Sequence, residues 1–295
     1  MGLRSVSRTC GLVVAFTVGL ALPTHHVHAV ISLSYNQDFN GLPTDPTNNA
    51  SLQPTPYTNG WQDDSTTVAG NHIGIPGWYL FHPLGTGSEL GTNGKQRFRE
   101  GNGQNTGSFW GFSTNNPTDS DKALGSIGST TTAGDNVNMY MGLRLTNTTA
   151  EPLTEFTLTY DGEEYRDGQS ASPETLSFAY STSATTADWN TTATFTSVAA
   201  LNFTSPVFAG TGSSGTLVDG NTAGKVAGIT STVSGILWAP GTDIWLRWAD
   251  PQAPSAADDG LGIDNVSFTA TPEPGSLTLA GVAATSLLMR RRRAR

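Results

Sequence analysis

Carboxylates carry most of the chemistry this chain could offer. Asp161, Glu163, Glu164 and Asp167 crowd into one short stretch. A pair of carboxyl groups about 5–5.5 Å or 6.5–9.5 Å apart is what a glycoside hydrolase uses. Glu163 and Glu164 are chain neighbours, however, so on a strand they point to opposite faces. With Arg166 beside them, they read as a solvated hairpin tip rather than an acid–base pair. A second group, Asp258, Asp259, Asp264 and Asn265, surrounds Gly260. Its hard oxygen donors suit Ca²⁺; an Asx-rich turn without metal would use the same residues. Trp61, Trp78 and Trp110 each adjoin a glycine in loop-like sequence, where an exposed ring could stack on a sugar. Trp248 shares the phase of Ile244 and Leu246 and reads as core.

Other chemistries find no support in the residues. Beyond residue 29 the histidines are His72 and His82. No H-x-x-x-H or G-x-S-x-G accompanies them, so they read as surface or hydrogen-bonded side chains. Gly210-Thr211-Gly212-Ser213-Ser214-Gly215 matches G-x-G-x-x-G, but Thr216-Leu217-Val218-Asp219-Gly220 follows it. A dinucleotide site needs a helix there to meet the pyrophosphate, so this is read as a loop.

The elements that must position these groups follow from composition. Of 295 residues, 42 are Thr, 27 are Ser and only 13 % are charged. A coiled coil or helical bundle needs far more Ala, Glu, Lys, Leu and Arg. Residues 30–271 hold 23 acidic against 8 basic side chains, a balance of −15, which repels phosphate backbones and argues against nucleic acid as a partner. Cys10 is the only cysteine.

Both ends read as addresses. Arg4 and Arg8 precede an apolar run from Gly11 to Leu22, and Val27-His28-Ala29 offers a cleavage site. That is the plan of a secretory signal peptide over 1–29, cut after Ala29; an uncleaved anchor is the alternative. At the other end come Pro272-Glu273-Pro274, an apolar stretch from Leu277 to Met289, then Arg290, Arg291, Arg292 and Arg293. The arginines favour the cytoplasmic side. The 13 residues of the apolar stretch fall short of the roughly 20 of a permanent span, so a transient inner-membrane anchor suits them, with a single-pass protein as the alternative. This tail resembles the PEP-CTERM sorting signal of Gram-negative bacteria. The resemblance implies that, after signal peptidase, an exosortase cuts near Pro-Glu-Pro and passes the protein to the cell surface or extracellular matrix.

Between the ends, residues 30–271 alternate like strands of an antiparallel sheet, one face apolar and one wet. The segments are Ile31 to Phe39, Asn138 to Thr146, Thr154 to Tyr160, Glu174 to Ser181, Thr242 to Trp248, and Leu261 to Phe268 with a slip after Ile263. Asp161-Gly162, Asp167-Gly168, Asp219-Gly220, Pro240-Gly241 and Asp259-Gly260 read as turns. Residues 41–75 and 205–230 read as long loops. The expected fold is all-β: one antiparallel β-sandwich or jelly-roll-like domain with long loops, followed by the C-terminal segment 272–295 with its short apolar helix.

This core is also similar to a recurrent ectodomain found with PEP-CTERM tails. The similarity rests on Gln37-Asp38-Phe39-Asn40-Gly41-Leu42-Pro43, Ile75-Pro76-Gly77-Trp78-Tyr79, Ala123-Leu124-Gly125-Ser126, Tyr160-Asp161-Gly162-Glu163-Glu164-Tyr165-Arg166, Leu246-Arg247-Trp248 and Gly260-Leu261-Gly262-Ile263-Asp264-Asn265-Val266. It implies no activity. The Ile-Asp-Asn-Val pattern also resembles the last strand of jelly-roll carbohydrate-binding modules. There a structural calcium bridges the first and last strands, which would pair Asp38 with Asp264, helped by Asp258 or Asp259. The function expected is a structural or adhesive protein of the exopolysaccharide matrix, gripping glycan weakly; a secreted glycan hydrolase using Asp or Glu is the alternative. Mass spectrometry of the released protein is expected to find a start near Val30 and an end close to Pro274. Secreted material still carrying Arg290–Arg295 would contradict the sorting reading.

Overall fold

The computed structural model describes residues 32–42, 75–81, 98–101, 107–114, 120–128, 138–210, 215–251 and 258–272. Ala29, Glu273, Pro274, Arg290 to Arg293, Trp61, His72 and His82 lie outside them. Among the described residues no helix is long and apolar enough to cross a membrane.

The alternating segments become strands. They are β1 (Leu33–Gln37), β6 (Asn138–Thr146), β7 (Leu153–Asp167), β8 (Thr175–Ser181), β13 (Asp243–Pro251) and β14 (Gly260–Thr271). The shorter strands are β2 (Trp78–Phe81), β3 (Phe98–Gly101), β4 (Ser108–Phe112), β5 (Ala123–Ile127), β9 (Thr196–Ser197), β10 (Phe203–Thr204) and β11 (Thr216–Leu217); β2 and β5 are buried at every position and so carry no alternation. β12 (Lys225–Trp238) begins inside the stretch read as loop. Its hydroxyls and glycines disguise it: only Ile229 and Val233 are apolar and inward over its middle.

Eight strands form one sheet. β11, β7, β14, β5, β4 and β3 lie in that order, with β1 also on β14 and β12 also on β7. Six form the other, β10, β8, β13, β6 and β2, with β9 on β8. The pairs are antiparallel except β3 with β4. The two sheets share one apolar core. At its centre Trp248 stacks on Trp78 at 5.5 Å and meets Tyr160 of the facing sheet edge-on at 5.7 Å. Burying side chains of this size stabilises by roughly 1.5–3 kcal/mol each.

Neither sheet leaves its whole outer face to water. On the second sheet, Trp189 lies flat on Trp245 at 5.2 Å. Its carbonyl accepts from Arg247 Nη1 at 2.8 Å. The Arg247 guanidinium sits over the rings of Phe195 and Tyr140, 3.7 and 4.4 Å from their centres. On the first sheet Trp110, Phe112 and Tyr165 stack in series at 5.9 and 4.9 Å. The rings can bridge from β4 to β7 because the strands beneath them carry Gly125 and Gly262: a Cβ at Gly262 would stand 3.2 Å from Phe112. At Gly125 it would run into the Leu261 carbonyl and the Phe112 ring. Gly125→Ala is therefore expected to lower stability by about 2–3 kcal/mol or more in urea unfolding. Gly41→Ala, where an added Cβ meets nothing within 4 Å, is expected to stay within about 0.5 kcal/mol. Equal stabilities for the two variants would refute this packing.

Candidate functional site

The slip read in the last strand is a β-bulge. β14 pairs Asp264 with Asp161 and then Ser267 with Thr159, a register shift, and Asn265 takes the left-handed conformation at φ 50°. The extra residue lets Leu261, Ile263, Val266 and Phe268 all join the core while Asn265 turns out to solvent. Left-handed backbone suits Asn, whose short amide can bond locally. Here its Nδ2 donates to Asp264 Oδ2 at 2.8 Å and Asp161 Oδ2 at 3.1 Å.

Beside the bulge β1 ends, with Gln37 opposite Val266. The chain then turns sharply. Gln37 Oε1 accepts from the Phe39 N–H at 2.8 Å, and Asp38 Oδ1 from the Asn40 N–H at 3.2 Å. Phe39 is left-handed too, at φ 53°, which a bulky residue adopts only when its surroundings demand it. The demand comes from its ring, fully buried against Trp78 at 5.0 Å. Lys122 clamps the turn: its N–H donates to Asn40 Oδ1 and its Nζ to the Leu42 carbonyl. The result is an open cleft of about 290 Å³ lined by Asn36, Gln37, Asp38, Asn265 and Val266. Amides donate and accept, and a carboxylate accepts at several lone pairs. A neutral polyhydroxylated group is the natural complement of such a lining.

Behind the cleft lies a half-buried ionic network. Lys225 Nζ bonds Asp161 Oδ2 at 2.9 Å and Glu163 Oε1 at 2.8 Å, and Glu163 also accepts from the Tyr165 hydroxyl at 2.6 Å. Burial would raise Asp161, but Lys225, the Gly228 N–H and Asn265 outweigh it and hold it below the usual carboxylate range. Asp264 is different. Burial, with Glu163 and Asp121 nearby, pushes it up to about 8.

A second set of carboxyls gathers next to this network, where β7 ends and β14 begins. Glu164 Oε2 accepts from the Val207 N–H at 2.9 Å, Asp259 Oδ1 from Gly168 at 2.7 Å, Glu174 Oε2 from Asp259 at 2.8 Å, and Asp250 Oδ2 from the Ser126 hydroxyl at 2.6 Å. Asp167 caps Gln169, and Arg166 donates to the Asp258 carbonyl. Glu164 Oε1, Glu174 Oε1 and Asp250 Oδ1 are buried without a hydrogen-bond partner. Burial, reinforced by Asp259 and Asp167, raises Glu164 to about 8. Burial with Asp258, Asp259 and Asp250 raises Glu174 to about 9. Among the described residues no three of His, Cys, Asp or Glu form a group able to hold a metal ion. Carboxyls raised in this way keep their protons to higher pH than free ones do.

These placements change several expectations from the sequence. The segment Asp161–Asp167 is no hairpin tip: it lies within the 15-residue β7, flanked by β14, β12 and β11, and Glu163, Glu164 and Asp167 are all buried. Asp161-Gly162 and Asp167-Gly168 are correspondingly not hairpin turns. Glu163 and Glu164 do take different partners, Lys225 and Val207. Trp78 and Trp110 are 1 % and 3 % exposed, so neither offers a free face to a sugar; the aromatic stacks across the sheets have taken them. Of the residues named for calcium, Asp38 is exposed beside Asn265, Asp264 is buried behind it, and Asp258 and Asp259 precede β14. Asp259 and Asp264 are five residues apart, about 16 Å on an extended strand, too far to share one ion. The sequence reading missed Asn36, Gln37 and Lys225; the period-two alternation through Asn36 was the available signal for the first.

No protein-family model matches the chain, and no curated protein matches it. Among solved structures it is similar to the K3 cleaved adhesin domain of Lys-gingipain from Porphyromonas gingivalis, with 13 % identity and a TM-score of 0.35, over 81 % of this chain and 98 % of that one. It is similar to the K2 domain with 13 % identity and a TM-score of 0.31, over 80 % and 97 %. The carbohydrate-binding module TmCBM61, solved with β-1,4-galactotriose, has 9 % identity and a TM-score of 0.25, over 50 % and 70 %. These likenesses are remote, and the reading of the site rests on its own side chains.

The raised carboxyls fix the sign of a pH dependence. Glu164, Glu174 and Asp264 bind protons more tightly folded than unfolded. Their contribution is fully present below about pH 4 and is lost as pH rises through about 8–9. Asp161 works the other way, and only in acid. The melting temperature is therefore expected to peak near pH 4 and fall from there to about pH 9. Glu174→Gln is expected to flatten the alkaline limb. An alkaline limb abolished by millimolar Ca²⁺ in the unmodified protein would show a cation, not protons, to be the counter-charge.

Proposed function

We propose that this is an exported protein of the cell surface or extracellular matrix that binds glycan weakly at the β1–β14 cleft and does no chemistry on it. The carrying observation is the cleft itself: two amides, an asparagine in the left-handed conformation and an exposed carboxylate around an apolar Val266. Export is supported by residues 1–29 and by the Pro-Glu-Pro, apolar and arginine segments, which resemble a PEP-CTERM signal acted on by an exosortase. The non-catalytic reading is supported by burial. Glu163, Glu164, Asp259 and Asp264 are at most 1 % exposed, so none of them meets a substrate.

The test is a glycan array followed by calorimetry on the best ligand. Asp38→Ala with Asn265→Gly removes two polar arms of the cleft while glycine accepts the positive φ. This double variant is expected to weaken binding at least tenfold; a melt that stays cooperative, at a temperature lowered by loss of the Asn265 bonds to Asp264 and Asp161, verifies its fold. Incubation with the same glycan is expected to release no reducing sugar. Reducing ends that accumulate in proportion to enzyme would overturn the proposal in favour of a hydrolase.

A further inference from the structure

The outer face of the first sheet, next to the cleft, repeats in two dimensions. Registers across four strands align Asn36 with Ser267, Ser267 with Thr159, and Thr159 with Thr230. Two residues along, they align Ser34 with Thr269, Thr269 with Thr157, and Thr157 with Thr232. A third, shorter row runs Thr271, Glu155, Ser234. Strand geometry spaces these positions at about 4.8 Å across the sheet and about 6.7 Å along it. All are exposed or half-exposed, while their neighbours Phe156, Leu158, Val266 and Phe268 fill the core.

We propose that this array is a docking surface for an extended, neutral polysaccharide, which enters at the cleft and lies across β1, β14, β7 and β12. The proposal rests on the glycan reading of the cleft and extends it from a terminal group to a polymer. Continuity carries it first: Asn36 both lines the cleft and heads the first row. Charge carries it second. The first two rows hold no charged side chain, although residues 30–271 have 23 acidic and 8 basic groups. A neutral hydroxylated polymer meets no repulsion on this face, whereas an anionic one is opposed by the surrounding field. Hydrogen-bonding capacity carries it third. Thr157 pairs with Thr232 at 2.8 Å and Thr159 with Thr230 at 2.7 Å, and Thr230 also donates to the Leu158 carbonyl at 3.2 Å; this orients the hydroxyls, leaving the first pair one donor and several acceptors and the second pair acceptors alone. Each contact is weak, so a repeating ligand that engages several rows gains where a short sugar does not. Lateral pairing with a second copy is a poor alternative, because Gly228 and Gly235, at φ 68° and 76°, accompany register shifts at both ends of the regular β12 pairing, and such bulges blunt an edge.

Affinity electrophoresis of the secreted protein in gels containing hydroxyethyl cellulose, galactomannan or alginate tests this, with calorimetry on the matching tetrasaccharides. The variant combines T157V, T159V, T230V and T232V, which keeps shape and strand propensity; an unchanged melting temperature verifies its fold. The expected result is retardation by a neutral polymer and not by alginate. The variant should lose at least tenfold in polymer affinity while its tetrasaccharide binding stays within twofold. Polymer affinity unchanged by the four valines would overturn the docking face and leave the cleft reading standing. Failure of the unmodified protein to bind any polymer or tetrasaccharide would overturn both. Inhibition of ice recrystallisation that is lost in the variant, without polymer binding, would assign the array to ice instead.

Discussion

One extra residue in β14 organises this molecule. β14 is hydrogen-bonded to β5, β1 and β7, so its phase sets that of three neighbours. Strict alternation would send Val266 and Phe268 to the outer face if Leu261 and Ile263 pointed inward. The bulge at Asn265 keeps all four in the core. It also leaves Asp264 buried and puts an amide on the surface, opposite the end of β1. The cleft is thus a by-product of satisfying the core, and its polar arms are held by backbone that cannot shift without moving the sheet.

The acidic composition imposes the second constraint. A domain with this excess of carboxylates must expose them, pair them or keep them protonated. It does all three. Asp161 and Glu163 share Lys225, Asp38 faces water, and Glu164, Glu174 and Asp250 sit in a dry region with oxygens that find no donor. The interior thereby takes up protons on folding. Exposed hydroxyls, not charges, then cover the face beside the cleft, so recognition there depends on geometry and multiplicity more than on electrostatic attraction.

The division of the tryptophans follows from packing. Trp78 and Trp248 join the two sheets at the centre, Trp189 and Trp245 close the outside of one, and Trp110 lies with Phe112 and Tyr165 along the outside of the other. A Cβ at Gly125, Gly142 or Gly262 would meet the Phe112 or Trp189 ring that passes over it. Aromatic surface is therefore spent on cohesion, and hydroxyl and amide groups remain for any ligand.

The sequence by itself determined the class of fold and the longer strands. Asn138–Thr146 becomes β6 without a residue's change, and the slip after Ile263 is the bulge, because period-two burial is a local property that alternation records directly. It also determined that Trp248 is core. What only the tertiary structure decided is where charge and aromatic surface end up. Asp161 to Asp167 looks like a turn locally and becomes a buried strand, because β14 and β12 flank it from far away in the chain. β12 was illegible because its outward threonines and flanking glycines weaken its apolar alternation and acquire meaning only opposite Thr157 and Thr159. Trp78 and Trp110 sit beside glycines that locally suggest loops, yet the facing sheet and the neighbouring rings bury them. Burial of this kind is a sum over distant contacts, and no spacing along the chain encodes it.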